Sequence, residues 1–163
     1  MRFLFIAFIL IFVSCTKDKV RLHEDFVFSY DAGVRIKSLK FKNDTVFIAH
    51  SYPSKIKAYF YLIDDNEKIK INKFLDTIKK NNYKKEYINE SVDDGFSYQF
   101  EFLRNKKRVY VQNFESYEIK NLTGFADYLI HIDRYKKEIE HYNLKIDFGN
   151  VDIFYPPEPN PFE

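Results

Sequence analysis

The chain has 163 residues, with 26 lysines and arginines against 24 aspartates and glutamates, and its formal net charge at pH 7 is +2. This near balance excludes the strongly basic field that binding to nucleic acid requires, so we predict no nucleic-acid partner. The single cysteine rules out a disulfide within the chain. The stability of the fold therefore has to come from the burial of apolar and aromatic side chains.

The N-terminal residues have the pattern of a secretory signal. Met1 and Arg2 form a short positive region, and residues 3–13 are an unbroken apolar run. A membrane-spanning helix needs about 20 apolar residues, so this run is too short to span a bilayer. We predict that residues 1–14 are a cleaved signal peptide that takes no part in the fold.

The end of this run resembles the lipobox of bacterial lipoproteins. Phe12, Ser14 and Cys15 stand at the −3, −1 and +1 positions of that motif, although the family prefers leucine where Phe12 stands. The resemblance implies that the thiol of Cys15 is diacylglycerated, that the signal is cut before it, and that the new N-terminus is acylated. Several acyl chains together hold a protein stably on a membrane. The alternative is an ordinary cleaved signal with an incidental cysteine near its end.

The residue after the cysteine bears on which membrane the protein reaches. In the lipoproteins of enteric-type bacteria, an aspartate at this position retains the protein at the inner membrane, whereas here the residue is Thr16. The resemblance therefore implies anchoring by palmitate-type chains in the outer membrane. Residues 16–19 are mixed and basic rather than acidic, which favours the periplasmic face over the cell surface.

The rest of the chain divides into a polar tether over residues 15–25, a single domain over residues 26–155 and a proline-rich tail over residues 156–163. Apolar periodicity and turn residues predict the elements of the domain in chain order. They are strands over 26–30, 34–41, 45–49 and 56–63, a helix around 71–78, a hairpin over 98–111, a helix over 122–139 and a closing hairpin over 144–155.

The local details of these elements are also predictable. Ile36 and Leu39 fall on opposite strand parities, which predicts a β-bulge near Lys37. Asn72 is the predicted N-cap of the first helix, and Asn121 or Thr123 that of the second. The order βββ(β)-α-ββ-α-ββ predicts an α+β fold, in which a mostly antiparallel sheet carries two helices on one face.

Residues that could carry chemistry are scattered along the chain. His131 and His141 would not face one metal from a single helix, and the four glycines are too dispersed for a phosphate-cradling loop, so we predict no metal and no cofactor. The pairs Asp64-Asp65 and Asp93-Asp94 lie at predicted turns, where aspartate bonds the local backbone. Carboxylates that flanked a cleft could instead hydrolyse a glycan.

Tyrosines are abundant around the fourth strand and the first helix. They could form a binding face, since tyrosine is enriched at interfaces, or they could pack beneath the helices. The candidate binding face consists of Tyr52, Tyr59, Tyr61, Tyr83 and Tyr87. The sequence therefore favours a lipid-anchored, non-enzymatic binding protein with a protein partner in the cell envelope, as an accessory subunit or an inhibitor. The alternative is a cell-wall hydrolase with dispersed carboxylates.

Overall fold

The computed structural model describes residues 19–31, 36–51, 58–91, 95–141 and 147–148. The predicted signal peptide, Cys15, Tyr52, the proline-rich tail and nearly all of the predicted closing hairpin lie outside the described residues. The statements below concern the described residues alone.

The described chain forms one eight-stranded sheet. The strands are β1 (Phe26–Asp31), β2 (Ile36–Lys42), β3 (Thr45–Ser51), β4 (Ala58–Leu62), β5 (Glu86–Ile88), β6 (Ser97–Phe102), β7 (Lys107–Gln112) and β8 (Ile139–His141). Their order across the sheet is β5-β7-β6-β1-β2-β3-β4-β8. All neighbouring strands are antiparallel except β5 and β7, which are parallel.

Two helices cover one face of this sheet. They are α1 (Asp65–Lys79) and α2 (Lys120–Tyr135), and a short 3₁₀ turn, Tyr117–Ile119, leads into α2. The ring of Phe125 on α2 lies 5.1 Å from that of Phe100 and 5.5 Å from that of Phe26, and its other neighbour is Phe74 of α1 at 5.0 Å. Burial of these aromatic rings joins both helices to the sheet in one core. The predicted α+β architecture is confirmed.

The first helix begins earlier than the sequence analysis predicts. Asp64 is its N-cap: the Asp64 carboxylate accepts from the amide of Glu67, and the Glu67 carboxylate accepts from the amide of Asp64. The prediction that Asn72 caps the helix is wrong, because the capping box lies two turns upstream. Asn72 is buried inside α1, where its amide donates to the carbonyl of Arg21 and accepts from the amide of His23. These bonds dock the end of the predicted tether on the domain.

The second helix ends before the predicted boundary. Lys136 has extended backbone, and Ile139 lies in β8, where it pairs with Phe60. Ile139 fits the apolar spacing of the helix, but it is the first residue of β8 and not part of the helix. The predicted caps are also wrong: Ser116 caps the 3₁₀ turn, and α2 continues from that turn without a side-chain cap of its own.

The second strand is regular, so the predicted β-bulge is wrong. β2 pairs with β1 without interruption from Ile36 opposite Asp31 to Phe41 opposite Phe26. Leu39 and Phe41 face the helices, and the residue that shares their face is Lys37 rather than Ile36. A lysine at a core-facing position made the strand pattern look shifted. The short strand β5 also differs from the prediction, since it lies within a stretch predicted to be a loop.

Neither of the described helices is both long and apolar enough to cross a lipid bilayer.

Candidate functional site

Two groups of charged residues lie in different parts of the sheet, one on its interior strands and one at its β5 edge. The first is the Lys37 cluster, which we define as Lys37, His50, Asp133, Glu138 and Tyr30. The second is the β5–β7 cleft, a concave region at the edge where β5 pairs with β7.

An almost buried lysine holds two carboxylates in the Lys37 cluster. The ammonium of Lys37 lies 2.6 Å from Asp133 Oδ2 and 2.6 Å from Glu138 Oε1. The Lys37 side chain is 11% exposed and that of Asp133 only 2%. This lysine therefore joins β2 both to the last turns of α2 and to the residue just before β8.

A histidine and a tyrosine complete the Lys37 cluster. His50 Nε2 lies 3.0 Å from Glu138 Oε2, and the Tyr30 hydroxyl donates to Asp133 Oδ2 at 2.8 Å. Partial burial disfavours the charged form of Glu138, but hydrogen bonds from Lys37 and His50 outweigh it and hold the pKa of this carboxyl below its usual value. Burial, together with the nearby Asp133 carboxylate, raises the pKa of Tyr30.

The Lys37 cluster is built to hold elements together. Glu138 stays ionised at neutral pH because its pKa is lowered, so it is not poised to donate a proton as a general acid. Both carboxylates are engaged by the same lysine, and this lysine is itself nearly excluded from solvent. The geometry therefore fits a clamp between strand and helix better than a catalytic pair.

The carboxylate pair Asp64-Asp65, singled out from the sequence, is not brought to this cluster. Asp64 caps α1, and Asp65 pairs with the buried Lys68 at 2.6 Å. Asp93 and Asp94 lie outside the described residues. Nowhere in the described ranges do three or more histidine, cysteine, aspartate or glutamate side chains group closely enough to hold a metal ion.

The predicted tyrosine face is divided by the fold. Tyr59 and Tyr61 belong to β4 and Tyr87 to β5, and five strands separate β4 from β5 in the sheet. Tyr61, Tyr83 and Tyr87 are buried in the core, and Tyr59 is half-buried with its ring edge-on to His50 at 5.4 Å. These four tyrosines therefore do not form one exposed surface. Three of them pack in the core, as the alternative prediction had it.

One of these tyrosines, Tyr83, also lines the β5–β7 cleft. The cleft has a volume of about 550 Å³, and Tyr83 and Tyr110 form its aromatic walls. Four basic residues and one acidic residue line the rest: Lys85, Lys106, Lys107, Arg108 and Glu86. The lining therefore carries a net charge of about +3 at neutral pH, counted from side-chain ionisation.

Hydrogen bonds from backbone amides fix the two segments that carry these cations. The amide of Tyr110 donates to the carbonyl of Lys85 at 2.8 Å, which holds Lys85 beside β7. In the β6–β7 turn, Asn105 Oδ1 accepts from the amide of Lys107 at 2.9 Å, and Lys106 has a positive φ of 53°. The basic groups are thus presented from a parallel strand pair and a tight turn, which are defined parts of the fold.

The cations of the cleft are poorly neutralised within the protein. No described residue forms an ion pair with the side chain of Lys85, Lys106 or Lys107. Arg108 lies 3.6 Å from Glu101, too far for a hydrogen bond, and its buried Nε finds no acceptor in the described chain. The Arg108 side chain is 37% exposed, so an acceptor that enters the cleft can contact the exposed part of its guanidinium.

The chain has no match among protein family models, among curated proteins or among solved structures.

Sequence reasoning missed both groups for identifiable reasons. Lys37 lies among alternating apolar residues, and the sequence alone does not show that its partners come from positions 133 and 138. Lys85 and Arg108 are distant in sequence, and the short parallel strand β5 that brings them together has no clear periodic signal. Lys106 and Lys107 fall within the predicted hairpin over 98–111, where exposed lysines are common and by themselves indicate no site.

Proposed function

We propose that this chain is a non-enzymatic binding protein of the cell envelope, anchored by lipid at Cys15 to the periplasmic side of the outer membrane. The proposal places its ligand in the β5–β7 cleft. The anchor rests on the lipobox resemblance, and the binding role rests on the cleft.

The observation that carries the binding role is the unneutralised charge of the cleft. Proteins normally pair or fully solvate their charges, and the Lys37 cluster shows that this chain can pair a lysine with two carboxylates. Lys85, Lys106 and Lys107 instead converge on a concave surface within the size range of ligand sites. A negatively charged ligand bound in the cleft would neutralise these three lysines.

Hydrolysis of cell-wall glycan is less well supported. It requires two carboxylates facing a substrate, one of them able to give a proton. In the described chain, Asp133 and Glu138 are both bound to Lys37, and the cleft itself contains Glu86 as its one carboxylate. The geometry thus favours binding over this reaction.

The anchor is tested by comparing the parent with a Cys15→Ala variant in cells fed labelled palmitate. We expect label and membrane association in the parent, and the loss of both in the variant, because the thiol is the acylated group. Label retained by the variant, or an unlabelled parent, would remove the anchor from the proposal.

The binding site is tested by placing a photo-activated crosslinking residue at position 106 in the cleft and, as a control, at position 73 on α1. Both parent side chains are exposed lysines, so the insertion perturbs the fold equally little. We expect one discrete crosslinked product, by intact mass, from position 106 and none from position 73. Identical products from both positions, or none from the cleft, would contradict a ligand site there.

A further inference from the structure

We infer that the ligand of the β5–β7 cleft is a phosphate-bearing group, bound through Lys85, Lys106, Lys107 and Arg108. This inference rests on the proposed binding role of the cleft and names its ligand chemistry.

Charge is the first argument. Glu101 offsets the charge of Arg108, so Lys85, Lys106 and Lys107 against Glu86 leave a surplus of about +2, which one singly charged carboxylate ligand would only partly neutralise. A phosphate group carries between one and two negative charges at neutral pH and has three strongly accepting oxygens. It can therefore accept from several of these cations at once, where a carboxylate offers two oxygens.

The kinds of donor are the second argument. Arg108 offers a planar fork of N–H groups that suits paired oxygens, while the lysines offer compact point charges that adjust to a phosphate. The Arg108 side chain is 37% exposed, and its Nη2 lies 3.6 Å from Glu101 Oε2, too far for a hydrogen bond. A phosphate oxygen in the cleft would give the exposed part of this guanidinium a hydrogen-bonded partner.

The shape of the site is the third argument. The cations surround a concavity of about 550 Å³ with two aromatic walls, instead of being spread over a flat surface. A volume of this size is typical of sites for small ligands, whereas interfaces between proteins are extended and bury about 800 Å² on each partner. A compact head group fits the cleft better than a protein surface does.

The test uses the full-length protein in a neutral detergent and isothermal titration calorimetry with three probes. The first is pyrophosphate, the second is short-chain phosphatidic acid with phosphatidylcholine as its zwitterionic control, and the third is an oligoglutamate peptide. Binding of pyrophosphate supports a free phosphate ligand. Binding of phosphatidic acid without pyrophosphate supports a lipid head group. Binding of the acidic peptide alone, or of no probe, overturns the inference.

Two sets of variants tie binding to the cleft. Replacing Lys106 and Lys107 together by glutamate should weaken the phosphate probe by at least about tenfold, since each charged hydrogen bond is worth that much or more. The matched control replaces Lys42 and Lys73 by glutamate, which makes the same change in net charge at exposed positions elsewhere, and should leave the affinity within about twofold. Equal losses in both variants would show nonspecific attraction and overturn the inference.

A gain-of-affinity variant guards against misfolding as an explanation. Glu86→Gln removes the carboxylate of the cleft with little change in shape, so the phosphate probe should bind about two- to fivefold more tightly. Unchanged or weaker binding contradicts an anion site beside Glu86. If no phosphate probe binds but position 106 still crosslinks to a discrete ligand, the phosphate chemistry fails while the proposed binding role stands.

Discussion

Lysines on the interior strands of this sheet and lysines near its β5 edge have different surroundings. Lys37 is nearly buried and lies 2.6 Å from each of two carboxylates, with a tyrosine and a histidine bonded to the same carboxylates. Lys106 in the β6–β7 turn is exposed and Lys107 at the start of β7 is partly exposed, both at the margin of an open cleft, and neither forms an ion pair within the described chain.

The charges of the Lys37 cluster stabilise the fold, whereas those of the cleft lysines are available to a ligand. A buried charge is tolerated only with partners, so the groups around Lys37 have to come from the protein itself. Exposed charges carry no such requirement, and their convergence on one concavity is not needed for stability. Substitutions in the two regions should therefore have different consequences, and the predictions below test this difference.

The largest expected effect is the loss of the buried lysine. Lys37→Met keeps the length and much of the volume of the side chain but leaves Asp133 and Glu138 without their shared cation. Removing one partner of a buried ion pair costs about 3–5 kcal/mol of stability. We expect a loss in this range, measured by urea unfolding at pH 7.

The matched control is Lys107→Met in the cleft. Surface substitutions away from special contacts usually change the free energy of unfolding by less than about 0.5 kcal/mol. Equal losses from the two methionine variants would abolish the distinction between the Lys37 cluster and the cleft.

Lys37 also shows where sequence reasoning reaches its limit. Alternation predicted the β6–β7 hairpin, because β6 places three aromatic residues on one face and Gln99 and Glu101 on the other. In β2, a buried lysine occupies a core-facing position, so the alternation pointed to a bulge that is not there. The partners at 133 and 138 are about one hundred residues away, and local pattern contains no information about such a distant pair.

The candidate site was hidden by a related difficulty. The single tyrosine face predicted from neighbouring sequence positions is split between the two sides of the sheet, because β5 leaves α1 and joins β7 instead of β4. The same crossover brings Lys85 next to Arg108. Composition, fold class and the predicted anchor depend on local sequence, whereas both clusters depend on strand order.

Removing the hydroxyl group should affect stability differently at the two buried tyrosines beside Asp133. The Tyr30 hydroxyl donates to Asp133, so Tyr30→Phe removes a hydrogen bond to a charged group and should cost about 1.5–3 kcal/mol. The Tyr61 hydroxyl is equally buried but has no hydrogen-bond partner in the described chain, so Tyr61→Phe should be neutral or stabilising. Urea unfolding of both variants measures the difference, and a comparable loss in both would mean that Tyr61 has a partner in the folded protein.

The smallest expected effect is a change in acid sensitivity at Glu138. Its carboxyl has an ordinary pKa of 4.5, which the bonds from Lys37 and His50 lower in the folded state despite partial burial. The unfolded chain therefore binds this proton more readily, so the stabilisation is complete above about pH 5 and is lost as the pH falls through 4.5 and below. Glu138→Gln should make the decline in stability between pH 5 and 3 shallower than in the parent, when urea midpoints are measured across that range. Lys107→Met should keep the parental slope, because it changes a charge outside the Lys37 cluster.

A slope in Glu138→Gln as steep as that of the parent would mean that other carboxylates cause the loss of stability in acid. Asp44 would be the next to test, since hydrogen bonds from Lys19 and Lys68 also lower its pKa.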